Sequence, residues 1–222
     1  MILALDTSTQ TVGMALYDGV QVIGESVWQT KAHHTIEVAP ALSELFTRCG
    51  IKPADLEGIG VALGPGSFTS LRIGLAIAKG LAMAVRIPLV GIPTLHILAA
   101  AQPLSEYPLA VVLQAGRNRL AVGWYKAGKH GWESSEDIQV STVEMLSESI
   151  QSPTLVCGEL TGTDRQILAR KRKNILLASP ARSLRRPSYL AELAWKRFKT
   201  GRTDEVISLA PIYLHTAEAI PT

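Results

Sequence analysis

Residues 64–74, with the sequence GPGSFTSLRIG, are the part of the chain best suited to holding a ligand. The glycines and the proline predict a tight loop, and Ser67, Thr69 or Ser70 can cap the helix that follows. Backbone N–H groups at the start of that helix would suit an anion, and Arg72 adds a positive charge one turn further on. The alternative is an ordinary strand-to-helix turn with good capping residues. The candidate residues of this motif loop are Gly64, Pro65, Gly66, Ser67, Phe68, Thr69, Arg72 and Gly74.

The histidines and hydroxyl residues form no pattern that predicts a metal site or a nucleophile. His33 and His34 are adjacent and precede a predicted helix, so their side chains point in different directions and make a poor metal pair. His96, His130 and His215 are isolated in the sequence. No Ser/His/Asp or Cys/His signature is recognisable, so nothing in the sequence supports a protease. We expect no metal site and no catalytic residue.

Composition narrows the class of protein. The chain has 222 residues, of which 47% are hydrophobic and 18% charged, and this excludes a disordered protein. Two cysteines are too few for a disulfide scaffold or a four-cysteine zinc site. The longest apolar run, residues 71–86, carries three basic residues, and the N-terminus lacks the pattern of a signal peptide. We therefore expect a cytoplasmic protein that does not enter a membrane.

Positive charge is concentrated in the second half of the sequence. Residues 165–202 contain twelve Lys and Arg against one acid, Glu192, whereas the first hundred residues are close to neutral. Such an excess can attract a polyanion, or it can be a solvated face with its partners elsewhere in the fold. If a polyanion binds, we expect these charges mostly on one exposed side of the second half. The candidate contact residues are Arg170, Lys171, Arg172 and Lys173.

Hydrophobic periodicity predicts an α/β protein made of two similar lobes with mixed sheets. Three strands (2–6, 12–17 and 20–28) precede alternating helices and strands, and a similar order restarts after a boundary at 102–108. We place the lobes at residues 1–102 and 103–222, with the option that the last helix packs back on the first lobe. The other predicted helices are 37–49, 71–86, a short one from Thr94, 142–150, 163–170 and 188–200, and the other strands are 58–63, 88–92, 109–114, 120–125, 136–140, 154–157 and 174–178.

The motif loop and the opening segment ILALDTST resemble the TsaB family, also called YeaZ and once labelled glycoprotease-like. The resemblance extends to PLVGIPTLHILA, AVVLQAGRNRLAVGWY and APIYLH, and so covers nearly the whole chain. It implies the two-lobed actin-like ATPase fold, which is ribonuclease H-like, of the actin, sugar kinase and heat-shock ATPase superfamily. It also implies a non-catalytic scaffold or activator of the related TsaD subunit, which completes threonylcarbamoyladenosine next to the anticodon of tRNA.

The same resemblance implies a set of partners and cofactors. Besides a TsaD-like subunit, it implies a TsaE-like ATPase, tRNA held through the complex, and a second copy of the chain when TsaD is absent. The basic residues at 170–173 then become candidate tRNA contacts. No cofactor should bind tightly, and ATP or ADP with Mg²⁺ is expected only in the complex. The rival interpretation is a free-standing ATP-dependent enzyme or peptidase of the same superfamily.

In this superfamily, an Asp-x-[Gly/Ser]-Thr turn in the first hairpin positions the metal and phosphates of ATP, and Asp6, Thr7, Ser8 and Thr9 match it. The sequence departs from the family pattern at Ser70, usually Gly, and at Gln114, usually Asp. Gln114 removes a carboxylate from the second lobe, and the segment Cys-Gly-Glu at 157–159 is only a faint counterpart of a glycine nucleotide loop. We therefore favour inherited architecture, with Asp6 organising the turn, over ATP hydrolysis.

The helix predicted after the motif loop carries small residues in two stripes. The first stripe is Gly74, Ala78 and Ala82, and the adjacent one is Ala76, Gly80 and Ala84. Glycine inside a helix costs about 1 kcal/mol relative to alanine, so close packing must favour it here. One stripe has to pack on the protein's own sheet, and we expect the other to meet TsaD together with the helix at 37–49. The predicted interface residues are Gly74, Ala78, Ala82, Val38 and Leu42.

Overall fold

The structure is a computed structural model that describes residues 1–31, 34–116, 118–171 and 173–214. It contains two β-sheets that are covered by helices. The strands are β1 (Ile2–Asp6), β2 (Thr11–Tyr17), β3 (Val22–Gln29), β4 (Gly58–Ala62), β5 (Leu89–Ile92), β6 (Leu109–Gln114), β7 (Leu120–Gly128), β8 (Gly131–Ser134), β9 (Gln139–Ser141), β10 (Thr154–Gly158) and β11 (Ile175–Leu177). The α-helices are α1 (His34–Cys49), α2 (Phe68–Val85), α3 (Thr94–Ala100), α4 (Val143–Ser149), α5 (Gly162–Ala169) and α6 (Pro187–Lys199).

The first sheet has the strand order β3-β2-β1-β4-β5. The strands β1, β2 and β3 are antiparallel neighbours, and β4 and β5 continue the sheet in parallel with β1. Successive side chains of a strand point to opposite faces. Leu3 and Leu5 accordingly pack in the core beneath α1 and α2, whereas Ile2 and Ala4 pack in the core beneath α6. This central strand is therefore buried along its whole length.

The second sheet repeats this layout with the order β11-β10-β6-β7-β8, and β9 pairs with β7. Antiparallel strands β6, β7 and β8 are again followed by parallel strands, here β10 and β11. One face packs with α3 and the other with α4 and α5. The prediction of a duplicated α/β fold with mixed sheets is confirmed.

The last helix, α6, follows the second sheet in sequence but lies on the first sheet in space. Its buried residues Leu190, Ala191 and Ala194 share a core with β1 and β2. A Cβ on Gly60 of β4 would lie only 2.6 Å from the Cβ of Ala194, so a glycine is needed at this close approach. Residues 187–199 thus complete the core of the first half.

Several element boundaries differ from the prediction. The strand β3 starts at Val22 because Asp18 Oδ1 accepts hydrogen bonds from Val20 N (2.7 Å) and Gln21 N (2.6 Å), and these residues stay in the turn. The strand β8 was not predicted, since its four residues contain a single large apolar side chain, Trp132, and show no alternation. In addition, α1 starts at His34 rather than residue 37, α2 starts at Phe68 rather than residue 71, and β9 spans Gln139–Ser141 rather than residues 136–140.

The α2 stripe that was predicted to meet a partner faces the chain's own core. Gly74, Ala78 and Ala82 are buried, and Val38 and Leu42 of α1 are buried in the same region. The prediction for these five residues is wrong, because spacing reveals two stripes without showing which one faces the sheet. The large apolar residues at positions 71 and 75 share the buried side and decide the orientation of the helix. The exposed residues of α2 include Ala76, Gly80, Met83 and Ala84.

By length and composition alone, α2 could cross a membrane. Of the three charges counted in the sequence, only Arg72 and Lys79 lie within the helix, since Arg86 is its C-cap. Leu71, Leu75 and the small residues of the buried stripe nevertheless pack on the first sheet. In this fold α2 therefore packs one side on the first sheet and exposes the other.

Candidate functional site

A cleft of about 1090 Å³ lies between the two halves of the chain. The first half lines it with residues 9–11 and with residues 65–68 of the motif loop, and the second half with the ends of β6 and β10 and the start of α5. In α/β sheets such edges, at the carboxyl ends of the strands, are the usual location of ligand sites. The lining includes Thr9, Gly66, Phe68, Gln114, Glu159 and Arg185.

Arg185, whose side chain is 1% exposed, connects the two halves across this cleft. Its Nε donates to Asp6 Oδ2 at the end of β1, and its Nη1 donates to Glu159 Oε1, 2.7 Å away, just after β10. Its Nη2 donates to Thr9 Oγ1 and to the carbonyl oxygen of Thr11, both at 3.0 Å. We call these five residues the Arg185 cluster.

Ion pairing keeps the buried guanidinium of Arg185 charged. Burial by itself lowers the pKa of Arg185, but the charges of Asp6 and Glu159 and their hydrogen bonds outweigh burial and raise the pKa above its ordinary value. Removing one partner from a buried pair typically costs about 3–5 kcal/mol, because it leaves an uncompensated charge. The Arg185 cluster is therefore a strong constraint on the relative position of the two halves.

The polar side-chain atoms of the predicted phosphate turn are engaged inside the protein. Asp6 Oδ2 accepts from Arg185, and Asp6 Oδ1 accepts from Ser8 N at 2.8 Å. The hydroxyl bonds are Thr7 Oγ1 to the Ser70 carbonyl oxygen (2.7 Å), Ser8 Oγ with Thr94 Oγ1 (2.8 Å) and Thr9 Oγ1 to Glu159 Oε1 (2.6 Å). A magnesium–nucleotide needs a carboxylate and hydroxyls that are free to face it. The residues of this turn, as arranged here, do not fit such a group.

Close approach to this turn explains two of the three glycines of the motif loop, Gly66 and Gly74. A Cβ on Gly66 would overlap the carbonyl oxygen of Ser8, which also accepts from Ser67 N at 2.7 Å. A Cβ on Gly74, two turns into α2, would overlap Thr7 Oγ1. Ser67, one of the three predicted capping residues, is the N-cap of α2. Of the other loop residues, Gly64 and Pro65 are buried and Thr69 is exposed.

Phe68 and Arg72 of the motif loop form a stacked group at the rim of the cleft. The guanidinium carbon of Arg72 lies 3.7 Å from the centre of the Phe68 ring, and Arg72 Nε donates to Tyr213 Oη at 3.0 Å. Phe68 is 52% exposed. Arg72, whose positive charge was expected to favour a bound anion, therefore stacks on an aromatic ring.

Gln114 joins the end of β6 to the start of α5. Its Nε2 donates to Asp164 Oδ2 (3.0 Å) and to the Glu159 carbonyl oxygen (3.1 Å). Asp164 also accepts from Thr161 N at 2.8 Å in the capping box of α5. An aspartate at position 114 would bring a second carboxylate towards Asp164, whereas the amide donates a hydrogen bond. This part of the cleft is therefore built for packing α5 in place.

His34 does not precede α1 as predicted but is its first residue, and it is 5% exposed. Its Nε2 lies 2.9 Å from the carbonyl oxygen of Thr9, so it fastens α1 to the turn of residues 6–9. Within the described ranges, no group of three His, Cys, Asp or Glu residues could hold a metal. His33 and His215 lie outside the described residues.

The basic residues at 165–202 do not form one exposed side of the second half, so that prediction is wrong. The chain turns back to the first sheet within this segment, Arg185 is buried, and Arg186 and Arg197 are held in ion pairs. Of the predicted tRNA contacts, Arg170 and Lys173 are exposed, Lys171 Nζ donates to the Ser147 carbonyl oxygen (2.7 Å), and Arg172 lies outside the described residues.

Sequence reasoning missed the role of Arg185 and gave Glu159 little weight. Asp6 ends an apolar strand, and a carboxylate buried there requires a partner. The buried carboxylate predicts a positively charged partner, but it does not show which of the 22 Lys and Arg residues in the chain is that partner. No local pattern separates Arg185 from Arg182 or Arg186.

Comparison with known proteins gives consistent matches over nearly the full length. The family model "TsaD: tRNA N6-adenosine threonylcarbamoyltransferase" matches residues 21–218. The Bacillus subtilis (strain 168) protein named tRNA threonylcarbamoyladenosine biosynthesis protein TsaB is 33% identical, with 98% of this chain and 95% of that protein covered. The Escherichia coli (strain K12) protein of the same name is 28% identical, with 96% and 94% covered. The solved structure "YeaZ from Pseudomonas aeruginosa" shares the fold, with a TM-score of 0.78 at 24% identity over 96% of this chain and 99% of that one.

Proposed function

The chain belongs to the TsaB family, and from this premise we propose that it takes part in forming threonylcarbamoyladenosine in tRNA. Its role is that of a non-catalytic scaffold or activator, and its partner is a TsaD-like subunit. The internal use of Asp6 by Arg185 supports a non-catalytic role, because the carboxylate that would hold a metal is already paired.

The exposed side of α2 is the surface on which we propose that a partner docks. We call it the docking face, and it consists of Ala76, Gly80, Met83 and Ala84. All four residues are exposed, and Met83 is 64% exposed. Three small residues on one side of a helix let another helix approach closely, and methionine is enriched in protein interfaces. The neighbouring helix α1 also presents an apolar side chain, Ile36, that is 68% exposed. We propose that TsaD binds here, and that a second copy of the chain binds here when TsaD is absent.

A charge placed on the docking face tests this proposal. Met83→Glu should weaken binding to the TsaD-like subunit of the same genome about tenfold or more, because it desolvates a carboxylate in an apolar contact. Met145→Glu is the matched control, since Met145 is also an exposed helical methionine, 59% exposed on α4. Binding is measured by titration calorimetry, with both melting curves recorded. Equal affinity of the two variants and the parent chain would contradict the docking face.

We propose that the complex works in the cytoplasm, recruits a TsaE-like ATPase and holds tRNA jointly. ATP or ADP with Mg²⁺ is then bound in the complex, and the chain alone binds no cofactor tightly.

The rival function, a free-standing ATPase or peptidase, makes a different prediction. The purified chain alone should turn over neither ATP nor peptides. Turnover that is present in the parent chain and lost in Asp6→Ala would favour the rival function.

A further inference from the structure

The turn of residues 6–9 is where the superfamily holds the metal of its nucleotide, yet here its carboxylate is paired with an arginine. We propose that Arg185 is a built-in replacement for that divalent cation, and that it fixes the two halves of the chain in one relative position. Arg185 has this role in the chain by itself, whether or not the docking face binds TsaD.

The contacts of Arg185 are those that a bound cation would make. It meets the carboxylate of Asp6 from the first half and that of Glu159 from the second, and it also meets the hydroxyl of Thr9. The side chains of Asp6 and Glu159 are 2% and 21% exposed, so both carboxylates need a positive neighbour. Carboxylate and hydroxyl oxygens, which here surround one cationic group, are also the kinds of ligand that a hard divalent cation takes.

The same contacts leave Arg185 little capacity for a ligand. Its Nε and Nη2 are used by Asp6, Thr9 and Thr11, and its Nη1 bonds Glu159. A guanidinium recognises a phosphate through two parallel N–H groups, and no such pair remains free here. Arg185 therefore occupies the position of the metal ion and does not bind a nucleotide phosphate in its place. A cation that cannot dissociate makes the angle between the halves independent of nucleotide.

Removing Arg185 should convert the cluster into a metal site. In the full chain, we expect Arg185→Ala to lower the melting temperature, and millimolar Mn²⁺ to raise it again by binding the folded form. The same Mn²⁺ should leave the parent chain and the control Asp6→Asn/Arg185→Ala unchanged. If Mn²⁺ does not raise the melting temperature of Arg185→Ala, or if this variant does not fold in Mn²⁺, the proposal that Arg185 replaces a divalent cation is wrong. So would an increase in the parent chain's melting temperature by Mn²⁺ or Mg–ADP that Asp6→Asn abolishes.

A charge-free variant tests the fixed position separately. Asp6→Asn/Glu159→Gln/Arg185→Met leaves no unpaired charge, so it should fold. Small-angle scattering should then give a broader distribution of distances for this variant than for the parent chain. Identical scattering curves for the variant and the parent chain would contradict the fixed position. Failure of the variant to fold would also contradict it, because the charges would then be needed for folding itself and not for the relative position of the halves.

Discussion

At the scale of single residues, burial separates the two cysteines. Cys157 lies at the end of β10, and burial raises the pKa of its thiol to about 12. Cys49, at the end of α1, is partly exposed. Since the thiolate is the reactive form, we expect a thiol reagent at about pH 8 to modify Cys49 in the native protein and Cys157 only after denaturation. Counting labelled thiols checks this, and a labelled thiol in native Cys49→Ser would contradict it.

Two glycines of α2 give a matched pair. Gly74→Ala should lower the free energy of unfolding by about 1–3 kcal/mol, because the new Cβ overlaps Thr7 Oγ1. Gly80→Ala should raise it by up to about 1 kcal/mol, since nothing lies within 4 Å of its added Cβ and alanine favours the helix. Urea unfolding of both variants measures the two changes. A stabilising Gly74→Ala would show that intrinsic propensity rather than packing governs position 74.

At the scale of elements, the N-terminus of helix α6 depends on a residue from a strand. Its N-cap, Arg186, makes no side-chain capping bond. Glu25 of β3 instead accepts from Ser188 N (3.0 Å) and from Arg186 Nε (3.0 Å). Burial by itself raises the pKa of Glu25, but these hydrogen bonds outweigh it and the pKa lies below its ordinary value. The strand β3 therefore supplies the negative charge that favours a helix N-terminus.

The lowered pKa of Glu25 predicts how this contact depends on pH. The stabilisation is fully present above the ordinary pKa of 4.5 and is lost as the pH falls through the lower pKa of the folded state. Glu25→Gln should therefore destabilise the protein by about 1–2 kcal/mol near pH 7 and by less near pH 3. Urea unfolding at both values measures the difference. A loss of unfolding free energy that is equal at the two pH values would show that the charge of Glu25 is not involved.

The sequence predicts which elements form better than it predicts which way they face. Periods of two and of about 3.6 residues locate strands and helices, and turn residues such as Gly50 end them, so most of the elements lie where they were expected. The outward side of α2 was assigned wrongly because both of its stripes contain only small residues. Asp6 was identified, but Arg185 was not, because a contact between distant residues leaves no local pattern. Sites built from such contacts need the folded chain.

At the scale of the whole molecule, the basic charge is dispersed. Arg185, Arg186 and Arg197 are held in ion pairs within the fold. Of the predicted tRNA contacts, Arg170 and Lys173 are exposed. A small group of this kind can hold a phosphate backbone without reading bases.

Charge reversal tests this group. Arg170→Glu/Lys173→Glu should weaken tRNA binding by the complex with TsaD and reduce the salt slope by about one per lost phosphate contact. Titrations at several salt concentrations measure both quantities, and Lys126→Glu, an exposed lysine on β7, is the control. An unchanged salt slope in the double variant would show that Arg170 and Lys173 are only solvated.

The position of α6 also decides when this protein can fold during its synthesis. Ile2 and Ala4 of β1 leave the ribosome early, whereas the side chains that cover them, Leu190 and Ala194, are translated much later. A nascent chain that has not reached α6 has one face of its first sheet open to water. Contacts between such distant residues also form slowly. A fragment of residues 1–102 should therefore aggregate instead of folding, and the complete chain should unfold in one cooperative step.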